Sequence, residues 1–247
     1  MKILLINPNI TDSITEIMAG EARRSASPGT EIVAVTAKFG TLYIENRIEA
    51  AIASHAVLET LAEYRADCDA AIISAFGDPG LLAARELVDI PVLGISEAAF
   101  LIAYTQGRRY SIVCLTKRLR TWYMECAAEH GLDGRMASAR ALTVPVPDIT
   151  RAKQDLADHL VEQCLLAVEE DDAEVVILGG GPVAGLAREI AAQVPVPVVD
   201  GISCAVQLAE SLVALNLGPP ARGSFAQPAS KPARNLAPAL TAMIDRR

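Results

Sequence analysis

The chain has 247 residues, enough for one large domain or for two of roughly 100–150 residues each. Its net charge of −8, with no Lys/Arg run interleaved with aromatics, excludes a phosphate-rich polymer as partner, so no nucleic acid is expected. Hydrophobic residues make up 51% of the chain and aromatics only 4%, so the core must be built from Ala, Val, Ile and Leu, the composition of buried parallel strands and their covering helices.

The apolar start, Lys2 to Ile6, stops at Asn7-Pro8-Asn9, too short for a signal-peptide core or a membrane span. It reads as the first buried strand of a cytoplasmic protein, with no membrane partner expected. Further strands are expected near 31–36, 69–74, 91–95, 109–114, 140–145, 174–178 and 196–200, with helices filling the gaps. Thr11-Asp12 supplies N-cap chemistry for a helix through about Arg24, and Glu45 to Tyr64 has the apolar spacing of a long amphipathic helix. Ser96 and Ser203 are expected to cap the helices that follow them. The segment from Ala221 to Pro238, rich in Pro, Ala and Ser, reads as a surface connection to a final helix. Five cysteines, Cys68, Cys114, Cys126, Cys164 and Cys204, show no metal-ligand spacing, so reduced structural thiols and no metal are expected.

One phrase occurs twice. Residues 72–99 run strand, Ser74-Ala75-Phe76-Gly77-Asp78-Pro79-Gly80, helix, strand, then Gly94-Ile95-Ser96; residues 176–206 run strand, Gly179-Gly180-Gly181-Pro182, helix, strand, then Gly201-Ile202-Ser203. The repeat predicts an α/β protein of two similar Rossmann-like domains, with parallel sheets related by a pseudo-twofold and a cleft between them. The boundaries expected are 1–97 with 208–247 for the first domain and 98–207 for the second. In parallel sheets ligand chemistry collects at the carboxyl ends of strands, here Asn7 to Asn9, Ser74 to Asp78, Cys114 to Lys117 and Gly179 to Pro182. Three successive glycines offer unencumbered backbone amides suited to a carboxylate, a phosphate or a developing enolate. They equally suit a tight turn that needs only glycine. Neither a phosphate-binding loop nor a dinucleotide fingerprint fits their spacing.

The Asn7-Pro8-Asn9 opening, Ala75-Phe76-Gly77-Asp78-Pro79-Gly80-Leu81, Gly94-Ile95-Ser96-Glu97-Ala98 and Leu178-Gly179-Gly180-Gly181-Pro182 together resemble the aspartate/glutamate/hydantoin racemase superfamily, and its hydantoin and allantoin racemase branch most of all. The resemblance runs from Met1 to about Leu217. It implies two facing α/β domains, a small-molecule substrate in the cleft between them, chemistry without a cofactor, and a homo-oligomer. It also implies two cysteines, one per domain, that remove and return a proton on opposite faces of an acidic carbon. The matching positions here are Ala75 and Gly180, which carry no titratable group. The glycine run around Gly180 reads as native, which favours a natural relative lacking both thiols over an alanine placed at 75 to trap substrate. By the same resemblance Asn9, Ser74, Gly77, Thr116, Gly179, Gly181 and Pro182 line the cleft.

Substitutes for the missing thiols are few. Asp78 stands three residues after Ala75 and is a weak catalytic candidate, since before Pro79 a turn-forming role competes. Cys114 ends a strand with its direction undecided. Tyr43 can enter the site from a loop as acid or hydrogen-bond donor, or remain a surface aromatic. His55 and His159 fall within helices and His130 at a helix end, where solvated or capping roles are expected. Two functions remain open: a hydantoin racemase-like isomerase acting at C5 of a 5-substituted hydantoin or related cyclic ureide, and a cysteine-less relative serving as a cofactor-independent lyase or hydrolase or as a small-molecule binding protein.

Overall fold

The structure, a computed structural model, describes residues 1–217 and 220–245; Gly218, Pro219, Arg246 and Arg247, part of the expected first domain, lie outside the described residues. Among the described residues eight strands run in chain order: β1 (Lys2–Asn7), β2 (Glu31–Thr36), β3 (Ala70–Ile73), β4 (Val92–Gly94), β5 (Tyr110–Cys114), β6 (Met136–Ala141), β7 (Val175–Gly179) and β8 (Val198–Asp200). The helices between and after them are α1 (Asp12–Ser25), α2 (Arg47–Tyr64), α3 (Leu81–Leu87), α4 (Ile95–Gln106), α5 (Lys117–Glu129), α6 (Ala152–Asp155), α7 (Ala157–Asp171), α8 (Leu186–Ile190), α9 (Gly201–Ala214) and α10 (Pro238–Asp245).

The strands form two four-stranded parallel sheets of identical order, β2-β1-β3-β4 and β6-β5-β7-β8. In each, the chain reverses its winding direction beside the first strand, and the crevice at that point is where open α/β sheets bind ligands. Along β1, Ile3 and Leu5 face a core shared by both sheets, whereas Leu4 and Ile6 face a smaller cluster that includes Val57, Leu61 and Leu240. The two-residue period of a strand buried on both faces produces this division.

The halves interlock. Helix α4 leaves the first sheet and packs against β7 and β8 of the second, while α9 leaves the second sheet and packs against β3, β4 and α1 of the first. Glu210 near the end of α9 accepts hydrogen bonds from Ser27 N, Ser27 Oγ and Thr30 Oγ1. Glu21 of α1, buried, accepts from Ser203 Oγ of α9 and from Arg188 of α8. Burial opposes the Glu21 charge, but Arg188, Ser203 and Ser25 together hold its carboxyl below the usual carboxylate range.

Four expectations need correction, the first being that Thr11, at the N-cap position of α1, does not cap it, since its hydroxyl donates to Leu42 O. The sixth strand lies at Met136–Ala141, ahead of the apolar stretch at 140–145. It is an edge strand whose Ser138 and Arg140 are held by Asp171 on α7, so tertiary hydrogen bonds rather than apolar content fix it. Helix α2 begins at Arg47, because the Asn46 side chain caps it by accepting from Ile48 N and Glu49 N, and its first turns leave Ile48 and Ile52 exposed, unlike a simple amphipathic helix. Ser96 and Ser203 do not cap their helices. Both sit in the first turn, and the caps are carboxylates: Asp78 accepts from Ser96 N and Glu97 N, and Asp200 accepts from Ile202 N and Ser203 N.

Asp200 also accepts from Gly185 N, tying the end of the glycine-rich turn to the start of α9. Asp200→Ala is therefore expected to cost about 2–3 kcal/mol, a lost cap plus a buried N–H without a partner. The check is a lower urea midpoint at unchanged slope.

Candidate functional site

The repeated phrase folds into a repeated turn. After β3, Asp78 N donates to Ala75 O; after β7, Val183 N donates to Gly180 O. Of the central amides, Phe76 N and Gly181 N are left available to a ligand, because Gly77 N donates to Ser96 Oγ and Pro182 has no N–H. The turns face each other across a small cavity lined by Asn9, Ile14, Tyr43, Ile44, Ser74, Ala75, Phe76, Tyr123, Gly180, Gly181 and Pro182. Both positions where the family resemblance expects cysteine thus stand in one cavity, one from each sheet.

Asn9 is held rigidly. The buried Asn7 amide donates to Asn9 Oδ1 and Thr15 Oγ1, and Thr11 N also donates to Asn9 Oδ1, so the hydrogen-bonding capacity that remains on the Asn9 side chain is its Nδ2 donor. The Ser74 hydroxyl donates to Ile6 O, leaving it an acceptor. Ile14 and Met18 of α1 press on Gly181 from the far side. The cavity volume is about 20 Å³, room for a single water, so an organic ring enters only if the walls part.

Among the residues lining the cavity, only Tyr43 and Tyr123 carry an ionisable proton. Their hydroxyls are hydrogen-bonded to each other, and burial pushes both phenols well above their ordinary range. At neutral pH they are donors, not bases. None of the five cysteines lines the cavity, and burial raises every thiol, Cys114, Cys164 and Cys204 to about 12. Cys114 instead bonds the carbonyls of Thr116 and Arg140.

The remaining candidates named from the sequence divide by position. Asp78 lies outside this cavity: both its oxygens are engaged by α4 amides, and its left-handed backbone (φ 46°) serves the turn. Gly77 faces Trp122, Gly179 packs on the Tyr123 ring, and Thr116 caps α5 by accepting from Leu119 N. His55 and His159 pair with Glu59 and Glu162 on their own helices, but His130, expected to be solvated or capping, instead reaches Asp78. Asp78, Cys126 and His130 bring their ligand atoms within 4.8 Å of one another. The helix-terminal amides on Asp78 and the protonated Cys126 thiol make this a hydrogen-bonded junction rather than a cation site. Tyr123 is a lining residue that the turn motifs do not reveal. Its signal lies in helical spacing, since Leu119, Tyr123, Cys126 and Ala127 fall on one face of α5 and all are buried.

The family model for Asp/Glu/hydantoin racemase matches residues 3–209. The chain belongs to this racemase family. A hydantoin racemase of Paenarthrobacter aurescens is 34% identical over 233 residues, covering 94% of this chain and 99% of its own length. The solved allantoin racemase from Klebsiella pneumoniae superposes with a TM-score of 0.92 at 37% identity, covering 98% of this chain and 99% of that one. Allantoin racemase from Pseudomonas fluorescens gives 0.90 at 38% identity, with 95% and 100% covered. The racemase family acts on small molecules, and among the described residues no helix is long and apolar enough to cross a membrane.

Gly180 adopts φ 129°, a backbone conformation open to glycine and strained for any L side chain, although a Cβ there would find room, its nearest neighbours lying 3.8 Å away. Gly180→Ala is expected to lower stability by about 1–3 kcal/mol. Ala75→Cys, at ordinary backbone angles, is expected to change it by less. Paired denaturation curves of the two variants check this.

Proposed function

We propose that the cavity takes a 5-substituted hydantoin or a related cyclic ureide, as an isomerase of the hydantoin racemase type working at C5 without a cofactor. The observation that carries this reading is the absence of charge: among the described residues lining the cavity there is no Asp, Glu, Lys, Arg or His. An amino-acid zwitterion buried there would leave two charges without partners, at a cost of several kcal/mol per ion. A neutral planar ureide needs only donors and acceptors, and Asn9, Ser74, the turn amides and the two phenols supply them. The relatives bearing hydantoin and allantoin racemase names support the same ligand class.

The residues also bound how a proton can move. A phenol hydroxyl and turn amides can stabilise the enolate oxygen that forms when C5 loses its proton. No lining side chain accepts that proton near neutral pH, so the base is hydroxide admitted with the substrate. This limitation favours a second reading, in which the same ring is held without turnover; ring opening or loss of carbon dioxide from a bound ligand would instead mark a hydrolase or lyase.

Proton NMR of single-enantiomer 5-benzylhydantoin, and of allantoin, in deuterated buffer decides between these. For the isomerase, exchange at C5 and loss of optical purity exceed the uncatalysed background, and the protein-dependent rate climbs about tenfold per pH unit with no plateau near neutrality. Ala75→Cys adds a thiol of ordinary pKa about 8.5 and is expected to level the profile off only as pH rises past the pKa of that thiol. Thermal stabilisation by either compound without exchange selects binding alone. No stabilisation and no exchange, with the protein folded, removes cyclic ureides as ligands.

A further inference from the structure

Helix α5 grips the Ala75–Asp78 turn almost residue by residue. The Phe76 ring lies 4.5 Å from that of Tyr123, centroid to centroid. Trp122 covers Gly77 so closely that a Cβ there would stand 2.5 Å from the indole. At the end of the helix His130 Nε2 is 3.2 Å from Asp78 Oδ2. Tyr123 and His130 are two helical turns apart and share a face, so one rigid element holds both the cavity end and the far end of the wall.

The first two contacts are apolar and indifferent to pH. The third is not. His130 lies between two carboxylates on different elements, Asp78 of the turn at Nε2 and Glu97 of α4 at Nδ1, the latter 3.8 Å away. Arg85 of α3 bonds Glu97 from the other side, the Phe100 ring of α4 stands 6.3 Å off, and on α5 itself Cys126 is close and protonated while Glu129 flanks the histidine in sequence. A protonated imidazole donates from both nitrogens and can serve both carboxylates. A neutral one donates from a single nitrogen: with the proton on Nε2 it keeps only an uncharged bond to Asp78, and with it on Nδ1 it leaves Asp78 altogether.

We propose that His130 is a positioning residue: protonated, it fastens the Ala75–Asp78 turn to α5 and keeps the cavity wall closed, and on losing its proton it loosens that wall. The part concerning ligand rests on the reading of the cavity given above. Burial works against the charge on His130, but the hydrogen bond and charge of Asp78, with Glu97, prevail over it and over Arg85, so its pKa lies above the ordinary value of 6.5. A raised folded-state value makes the stabilisation complete below the unfolded pKa of about 6.5, and it is lost as pH rises through the folded value. Affinity for a ring takes the opposite sign, weaker on the acid side and stronger on the alkaline side, because the ring enters only when the walls part.

The test compares wild type with His130→Asn and His130→Gln between about pH 5.5 and pH 8.5, with two readouts. The first needs no ligand: amide exchange protection at Gly77, Asp78, Ser96 and Glu97, corrected for intrinsic rate, alongside NMR titration of the His130 ring. Wild-type protection is expected to fall several-fold with rising pH, by up to about tenfold per unit that the His130 pKa is raised, and both variants are expected to show low protection that does not change with pH. The second is the dissociation constant for 5-benzylhydantoin, expected to tighten several-fold over the same range in wild type alone. Flat wild-type protection, or a variant that keeps the wild-type pH dependence, overturns the proposal. Protection that falls with pH while no ureide binds at any pH supports the latch and overturns the ligand reading instead.

Discussion

Two buried aspartates hold the cavity's walls in place. Asp78 and Asp200 each receive the leading amides of a long helix, and each also fixes a glycine-bearing turn relative to that helix. The equivalent function is built from different ends of the repeated unit. In the first half the carboxylate rides on the turn and reaches forward to α4. In the second it stands at the end of β8, next to α9, and reaches back to Gly185. A carboxylate at a helix N-terminus is favoured by the exposed amides and the helix dipole, which offsets part of the cost of burying it. Because α4 and α9 each pack on the opposite sheet, the caps that start them also set how the two halves face each other.

This arrangement explains why the cavity survives without its expected acid and base. None of the interactions that shape it passes through position 75 or 180 side chains: the turns close through backbone hydrogen bonds, Asn7 and Thr11 fix Asn9, and α1 and α5 supply the apolar walls. What remains is a neutral, donor-rich enclosure in which two phenols satisfy each other. Such a site can stabilise negative charge on a ligand oxygen, and it lacks a group that would take up a proton.

Much of the fold is legible in the sequence because its determinants are local. Apolar runs bounded by glycine and proline mark seven of the eight strands, and the repeated phrase announces two sheets of one topology. The strand at Met136–Ala141 escapes this reading because an edge strand of small and polar residues is defined by distant partners such as Asp171. The site is legible where it is made of turn residues: Asn9, Ser74, Ala75, Gly180, Gly181 and Pro182 all reach the cavity, and Tyr43 joins them from its loop. It is illegible where helices contribute, as with Ile14 and Tyr123, since an inward-facing side chain looks the same in sequence whether it meets core or ligand. Asp78 and His130 are hard to weigh for a related reason. Their meaning lies in a contact 52 residues apart in the chain.

The backbone at Gly180 carries the last step. The turn at 180 holds φ 129°, with open space where a Cβ would stand. The obstacle to a second thiol is therefore conformational rather than steric, and it lies in the backbone of the turn itself. At Ala75 no such obstacle exists, because its φ is not positive. The two halves of the site are unequally distant from two-sided proton transfer: a single substitution places a thiol on the first wall, whereas the second wall must first change its turn. What a thiol would demand thus differs between the walls: a side chain on the first, a new turn on the second.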